Sequence, residues 1–237
     1  VGGATANMYG IDCSKMLSEG GCADKKCLYP SICKNLNLDH RRQIDLLRSI
    51  HAIDGINKVF IASGLRYDLI IEDKLNGYNY LKEVVENHTS GQIKIAPEHT
   101  EGHVLKMMGK QNKDYLHKFK QMFDQLKQET GKNQFLTYYF IAAHPGCTDR
   151  EMEKMEEFIS KNLKINPEQV QVYTPLPSTY SALMYYTEMN PFTKENVFVE
   201  KDLVKKEKQK EIITGVPAFK KRRILEHKRQ KARHFYK

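Results

Sequence analysis

No stretch of the 237-residue chain approaches the roughly 20 consecutive apolar residues that cross a bilayer as a helix, so a protein with such a span is not expected. The opening residues, VGGATANMYG, have neither the charged flank nor the apolar core of a secretory leader, and they lack an initiating methionine. A reducing, cytoplasmic setting is therefore expected, and a Gly-Gly pair with no element before it reads as part of something longer. Tryptophan is absent and there are only 5 cysteines, too sparse for a small disulfide-stapled scaffold. Most of the chain also lacks a charge of either sign in excess. Residues 200–237 hold 14 Lys and Arg against 5 Asp and Glu, which accounts for the entire net charge of +9. The basicity belongs to a tail and says nothing about the fold of the body.

What is present suits a folded domain of ordinary size: 40% hydrophobic and 28% charged residues spread along the chain. Short β-branched runs alternate with longer helical patterns. Strands are predicted at Lys58–Ala62, Gln92–Ala96, Phe135–Ala143 and Gln169–Tyr173. Helices are predicted over Asp39–Ile53, Tyr78–Asn87 and Asp114–Thr130, the last ending at Gly131, and another after Thr148-Asp-Arg-Glu151, which has the spacing of a capping box. Strand and helix in alternation predict crossover units and a parallel sheet, open or closed into a barrel. The main body is expected over 1–190, with a basic extension over 191–237.

Each strand is followed by a polar turn: Ser63-Gly-Leu-Arg66, Pro97-Glu-His99, His144-Pro-Gly-Cys147 and Thr174-Pro-Leu-Pro177. Ligands of parallel α/β folds sit beyond the carboxyl ends of the strands. For any one turn, loop chemistry explains the residues equally well; repetition across four favours a shared site.

Four cysteines fall in one stretch with little periodicity, Cys13-x8-Cys22-x4-Cys27-x5-Cys33. Four thiolates suit tetrahedral zinc or an iron–sulfur cluster, while disulfides or reduced structural thiols remain open. Cys147, alone in its loop with no evident second ligand, reads as a small loop residue rather than a nucleophile.

Taken in order, GGATANMYG, the Cys13–Cys33 segment ending YPSIC, FIASGLRYDL, GQIKIAPEHTEGHVLKMM, YFIAAHPGCTDREM and VQVYTPLPSTYSALMYYTEMNP resemble the YgiQ-like branch of the radical S-adenosylmethionine (radical SAM) proteins over about 190 residues. The resemblance implies a partial (β/α)6 TIM-like barrel, truncated at its N-terminal end and followed by a basic C-terminal extension. The family's CxxxCxxC loop, which holds a 4Fe-4S cluster, is absent, so the cluster ligands are expected upstream of Val1. The implied function is a portion of an iron–sulfur enzyme that binds S-adenosylmethionine and generates a 5′-deoxyadenosyl radical on an unknown substrate, inactive as this fragment.

By the same resemblance, Gly2 and Gly3 present backbone carbonyls to the methionine amino group, Ser63 and Arg66 hold ribose and carboxylate, Glu98 and His99 contact ribose or substrate, and His144, Pro145 and Gly146 pack on the adenine. Cys13, Cys22, Cys27 and Cys33 would hold a second metal, zinc or an auxiliary iron–sulfur centre. Two alternatives stand beside this reading: an RNA-modifying enzyme of methylthiotransferase type, with the tail as RNA-binding arm, or a metal-bound binding module without chemistry.

Overall fold

The computed structural model describes residues 7–23, 27–62, 64–167 and 169–215. Gly2, Gly3 and Ser63, and the part of the tail from 216 to 237, lie outside the described residues.

The body is mixed α/β. Short helix α1 (Ser14–Glu19) is followed by α2 (Arg41–His51), α3 (Tyr67–Glu72) and α4 (Gly77–Asn87). Strand β1 (Gln92–Glu98) then leads through α5 (Gly102–Met108) and α6 (Lys113–Thr130) to β2 (Phe135–Ala142). Helix α7 (Asp149–Phe158), extended by a π-turn over Ile159–Leu163, leads to β3 (Gln169–Val172), and α8 (Tyr180–Thr187) and α9 (Leu203–Thr214) complete the order.

The three strands form one parallel sheet in the order β1-β2-β3, with Gln92 opposite Phe135 and Tyr139 opposite Gln169. Period-two patterning separates its faces. Ile93, Ile95, Tyr138, Phe140, Ala142 and Val170 are buried in the core. On the other face Lys94, Ala96, Thr137, Tyr139 and Ile141 are half-buried and Gln171 is exposed. Parallel sheets are nearly always covered on both faces, so this second face is the one that can line a ligand cavity.

The helices start and stop for local reasons. Asn112 caps α6 by accepting from Asp114 N–H, and Gly131 closes it in the left-handed region. Thr148 and Glu151 form the reciprocal capping box expected from the sequence.

One expectation is corrected. Lys58–Ala62 is extended but is not a ladder strand. The Val59 carbonyl is bonded to His88 Nδ1 at 2.8 Å and the Ile61 N–H donates to the His88 carbonyl at 3.0 Å, so these backbone groups face α4's end instead of β1. Pairing with β1 is reduced to one parallel bridge, Leu65 to Ile95. Part of the basic extension, Leu203–Thr214, is helical and joins the body. Helix α9 packs against α7, β2 and β3 and buries Ile213, while Lys206 donates to the Tyr185 hydroxyl at 2.9 Å with its charge over that ring. An amphipathic Lys can bury its stem and still satisfy its head, which composition alone does not reveal.

Candidate functional site at the strand mouths

The carboxyl ends of β1 and β2 are both irregular. The β1–β2 register shifts between Ile95 and Glu98, and Glu98 (φ +66°) and Ala143 (φ +58°) occupy the left-handed region that side-chain-bearing residues avoid. Ser178, just ahead of α8, does the same at φ +60°. Three such residues at one end of a sheet hold the βα turns in fixed, non-standard paths.

Between these turns lies a cavity of about 290 Å³, bordered by Glu98, Tyr139, Ile141, His144, Gln171 and Tyr173 and by the hydroxyls leading into α8. It opens on the half-buried sheet face. The Glu98 carboxylate meets Lys110 at 2.8 Å, and Lys110 also donates to the Ala96 carbonyl, so this corner is charged but paired.

His144 is buried, and both ring nitrogens are used: Nδ1 with the Pro145 carbonyl at 2.9 Å, and Nε2 with the Ser181 hydroxyl at 2.8 Å. A carbonyl needs a donor, so the proton sits on Nδ1 and Nε2 accepts. Burial pushes its pKa down to about 4, so the ring is neutral, and it meets Tyr173 edge-on at 4.9 Å.

His99 is more deeply enclosed. Its Nδ1 accepts from Glu101 N–H at 3.0 Å, which leaves the Nε2 proton directed at Cys147 Sγ, 3.4 Å away. Burial, reinforced by the neighbouring His144 and His103, pushes the His99 pKa down to about 3, and burial pushes the Cys147 thiol up to about 12. The pair is a neutral imidazole beside a neutral thiol. It ties two strand mouths together and lacks the thiolate an activated nucleophile requires.

Arg66 lies at the bridge residue's flank, but its guanidinium is engaged in a fork with Asp68. Its backbone is clamped from the other side: Arg66 N–H donates to Asn7 Oδ1 at 2.9 Å and Asn7 Nδ2 donates back to the Arg66 carbonyl at 3.0 Å. Asn7 Nδ2 also lies 3.3 Å from His40 Nε2, and His40 Nδ1 lies 2.8 Å from Asp73, whose two oxygens further accept from the backbone N–H groups of His40, Leu75 and Asn76. Asp73 therefore fixes the His40 proton on Nδ1, His40 fixes the Asn7 amide, and Asn7 fixes Arg66. This buried chain had no signal in the sequence, because Asn7, His40 and Asp73 lie on separate segments and match no spacing rule.

The structure thus brings Glu98 and His144 to one cavity, with His99, Pro145 and Gly146 immediately behind it. The space at Gly146 is taken by Met107, whose sulfur would lie 2.3 Å from an added Cβ, so glycine here admits a side chain rather than an open ring slot. Among the described residues no three His, Cys, Asp or Glu side chains are grouped as metal ligands. The four cysteines share a segment without converging, and Cys13 instead caps α1 through a contact from Met16 N–H at 3.4 Å. No chemistry is derived from a metal here.

No family model matches the chain. The chain is 55% identical over 214 residues to a UPF0313 protein of Fusobacterium nucleatum, covering 90% of this chain and 38% of that protein. It is 41% identical over 213 residues to a UPF0313 protein of Clostridium perfringens, covering 90% and 32%, and 43% identical over 203 residues to one of Methanocella arvoryzae, covering 86% and 33%. The chain therefore spans about a third of the length of these curated relatives, and what it resembles is a part of proteins named UPF0313.

Proposed function

We propose that this chain supplies the cofactor-facing strand mouths of a radical S-adenosylmethionine enzyme, within a partial (β/α)6 barrel that belongs to a protein as long as its relatives. The observation that carries the reading is the convergence of the β1, β2 and β3 mouths on one cavity at the partly open face of a parallel sheet, together with the ordered motifs that resemble this superfamily. An open barrel lined by the half-buried face would use these groups in this way.

The residues fit the cofactor in part. Glu98 and His144 border the cavity, and the Tyr173 ring and Ile141 give it an apolar wall against which a purine can lie. Arg66 is neutralised by Asp68, so capture of a carboxylate would require that fork to open. Bound S-adenosylmethionine supplies, on one-electron reduction, a carbon radical that abstracts hydrogen. The chain's own share is positional. The neutral His144 ring is locked by Ser181 and Pro145, Glu98 is held by Lys110, and the Arg66 backbone is clamped in the turn ahead of α3. Such locking keeps a reacting group within the narrow geometry that hydrogen transfer demands.

The test uses two proteins. Isothermal titration of the 237-residue chain with S-adenosylmethionine should show binding that His144→Ala weakens roughly tenfold. The complete Fusobacterium nucleatum relative, reconstituted anaerobically with iron and sulfide and treated with dithionite, should release 5′-deoxyadenosine, while the present chain should release none. A complete relative that carries no reducible cluster and releases no 5′-deoxyadenosine overturns the reading.

A further inference from the structure

A second cavity among the described residues is larger than the one at the strand mouths. It encloses about 1000 Å³ between the segment Tyr29–Asn35, the end of α5 and the start of α8, and it meets the smaller cavity at Met108, Thr179 and Ser181. That volume is at the upper end of what small-molecule sites use.

Its lining has a definite chemistry. No Asp or Glu is among the lining residues described, whereas Lys34 and Lys106 both are, and neither makes an ion pair with a described residue. Rings form another part of the wall: Tyr29, and Tyr180 with Phe192, whose centroids are 4.7 Å apart at 59°. Met107, Met108 and Met184 add polarizable surface that adapts to a flat partner. Hydroxyls of Ser178, Thr179 and Ser181 stand at the entry to α8, where the strained Ser178 fixes the turn. The cations and hydroxyls suit a charged, polar group and the rings and methionines a flat apolar one, so a ligand that carries both matches this lining better than a neutral apolar molecule or a small inorganic anion.

We propose that this cavity is the substrate chamber and that it takes an anion carrying an aromatic ring, of about mononucleotide size. The word substrate rests on the radical-enzyme reading above; the binding does not. Lys34 and Lys106 recognise the negative charge, Tyr180 and Phe192 the ring, and contact with the smaller cavity brings one edge of the ligand to the strand mouths.

The probes are adenosine 5′-monophosphate, adenosine and inorganic phosphate, each titrated calorimetrically into the 237-residue chain at low salt. The nucleotide should bind at least tenfold more tightly than either of the others, and raised salt should weaken it. The double variant Lys34→Met with Lys106→Met, two surface positions that leave the core untouched, should lose roughly tenfold toward the nucleotide and nothing toward adenosine. Phe192→Ala should weaken nucleotide and adenosine alike; if that variant does not fold, the lysine pair still decides. Nucleotide binding no tighter than phosphate, or unchanged in the lysine variant, overturns the proposal. S-adenosylmethionine titrated into the same variants separates the two readings. Its binding should survive loss of both lysines. If it instead competes with the nucleotide for one site, the separate chamber falls. If it never binds while the nucleotide does, the radical-enzyme reading falls and the anion site stands.

Discussion

Among the described residues, the body around β1, β2 and β3 buries 28 residues in one continuous core, whereas the segment from Ile11 to Leu38 contributes Ile11 and Leu36 to a small second cluster that Leu69 of α3 completes, with Met8, Leu28, Ile32, Cys33 and Leu38 partly buried around them. Helix α1 in that segment buries no residue at all. What shapes it is a set of backbone contacts, Asn37 N–H to the Asp12 carbonyl at 2.7 Å and Cys33 N–H to the Cys27 carbonyl at 2.8 Å, with Gln111 reaching the Leu28 carbonyl from the body. Each hydrogen bond contributes only about 1 kcal/mol net, so this wall of the large cavity is held far more weakly than the sheet it faces. A rigid scaffold carrying a compliant wall is the division of labour expected of a binding site.

Breaking the strong side should have the largest effect. Phe140 is fully buried at the middle of the sheet, and Phe140→Ala should cost about 3–5 kcal/mol in chemical denaturation. Leu36→Ala, in the small cluster, should cost about half as much because its surroundings can close over the gap. Equal losses would show that the two regions unfold as one tightly packed body.

Next in size is the response to acid at the strand mouths. His99 and His144 have folded pKa values near 3 and 4, below the unfolded value of about 6.5. Above pH 6.5 neither state is protonated and the pair costs nothing. As pH falls below 6.5 the unfolded chain takes up protons that the folded rings refuse, so stability drops, by about 2 kcal/mol per histidine at pH 5. His99→Gln should flatten this acid limb between pH 6.5 and 4. An unchanged limb would show that His99 is protonated in the native protein.

A smaller loss is expected from the buried clamp. Asn7→Ala removes the partner of the Arg66 N–H and of His40 Nε2 and one of two donors to the Arg66 carbonyl, which keeps the Ile70 N–H at 3.4 Å, and should destabilise by about 1–3 kcal/mol. Hydrogen exchange should show the increase concentrated at Arg66 and its neighbours. Protection unchanged at Arg66 would mean the clamp does not set that turn.

The sheet and its helices were legible because burial imposes a period: Ile93 and Ile95, or Tyr138 and Phe140, alternate as a half-buried strand must, and Asn112 to Gly131 frames α6 with a cap and a stop. Lys58–Ala62 had the composition of a strand and lost its ladder to His88, a competition set by a residue 29 positions away from Val59. At the site, Glu98 and His144 were found from the polar turns after strands. The partners that hold them, Lys110 and Ser181, carry no pattern of their own. The cavity walled by Tyr29–Asn35 was invisible for the same reason, since it joins segments separated by about 150 positions.

The smallest expected effect sharpens the contrast most. Cys13 caps α1 through a long sulfur contact to Met16 N–H, 3.4 Å, on a helix with no buried face. Serine is a better cap than a thiol because its oxygen is the stronger acceptor, so Cys13→Ser should leave stability unchanged or raise it by about 0.5 kcal/mol. Because Cys13, Cys22, Cys27 and Cys33 do not converge, a chelator should shift the melting temperature of neither the parent chain nor the variant. The two measurements belong together. A parent chain that loses stability on chelation, and a Cys13→Ser variant that loses it without a chelator, would show that the weak segment draws its thiols onto an ion in solution and replaces its missing core with metal–sulfur bonds. Invariance in both would leave the segment held by its backbone contacts, its small cluster and the bond from Gln111, without help from a metal, and would make this wall of the cavity the first part of the molecule to open.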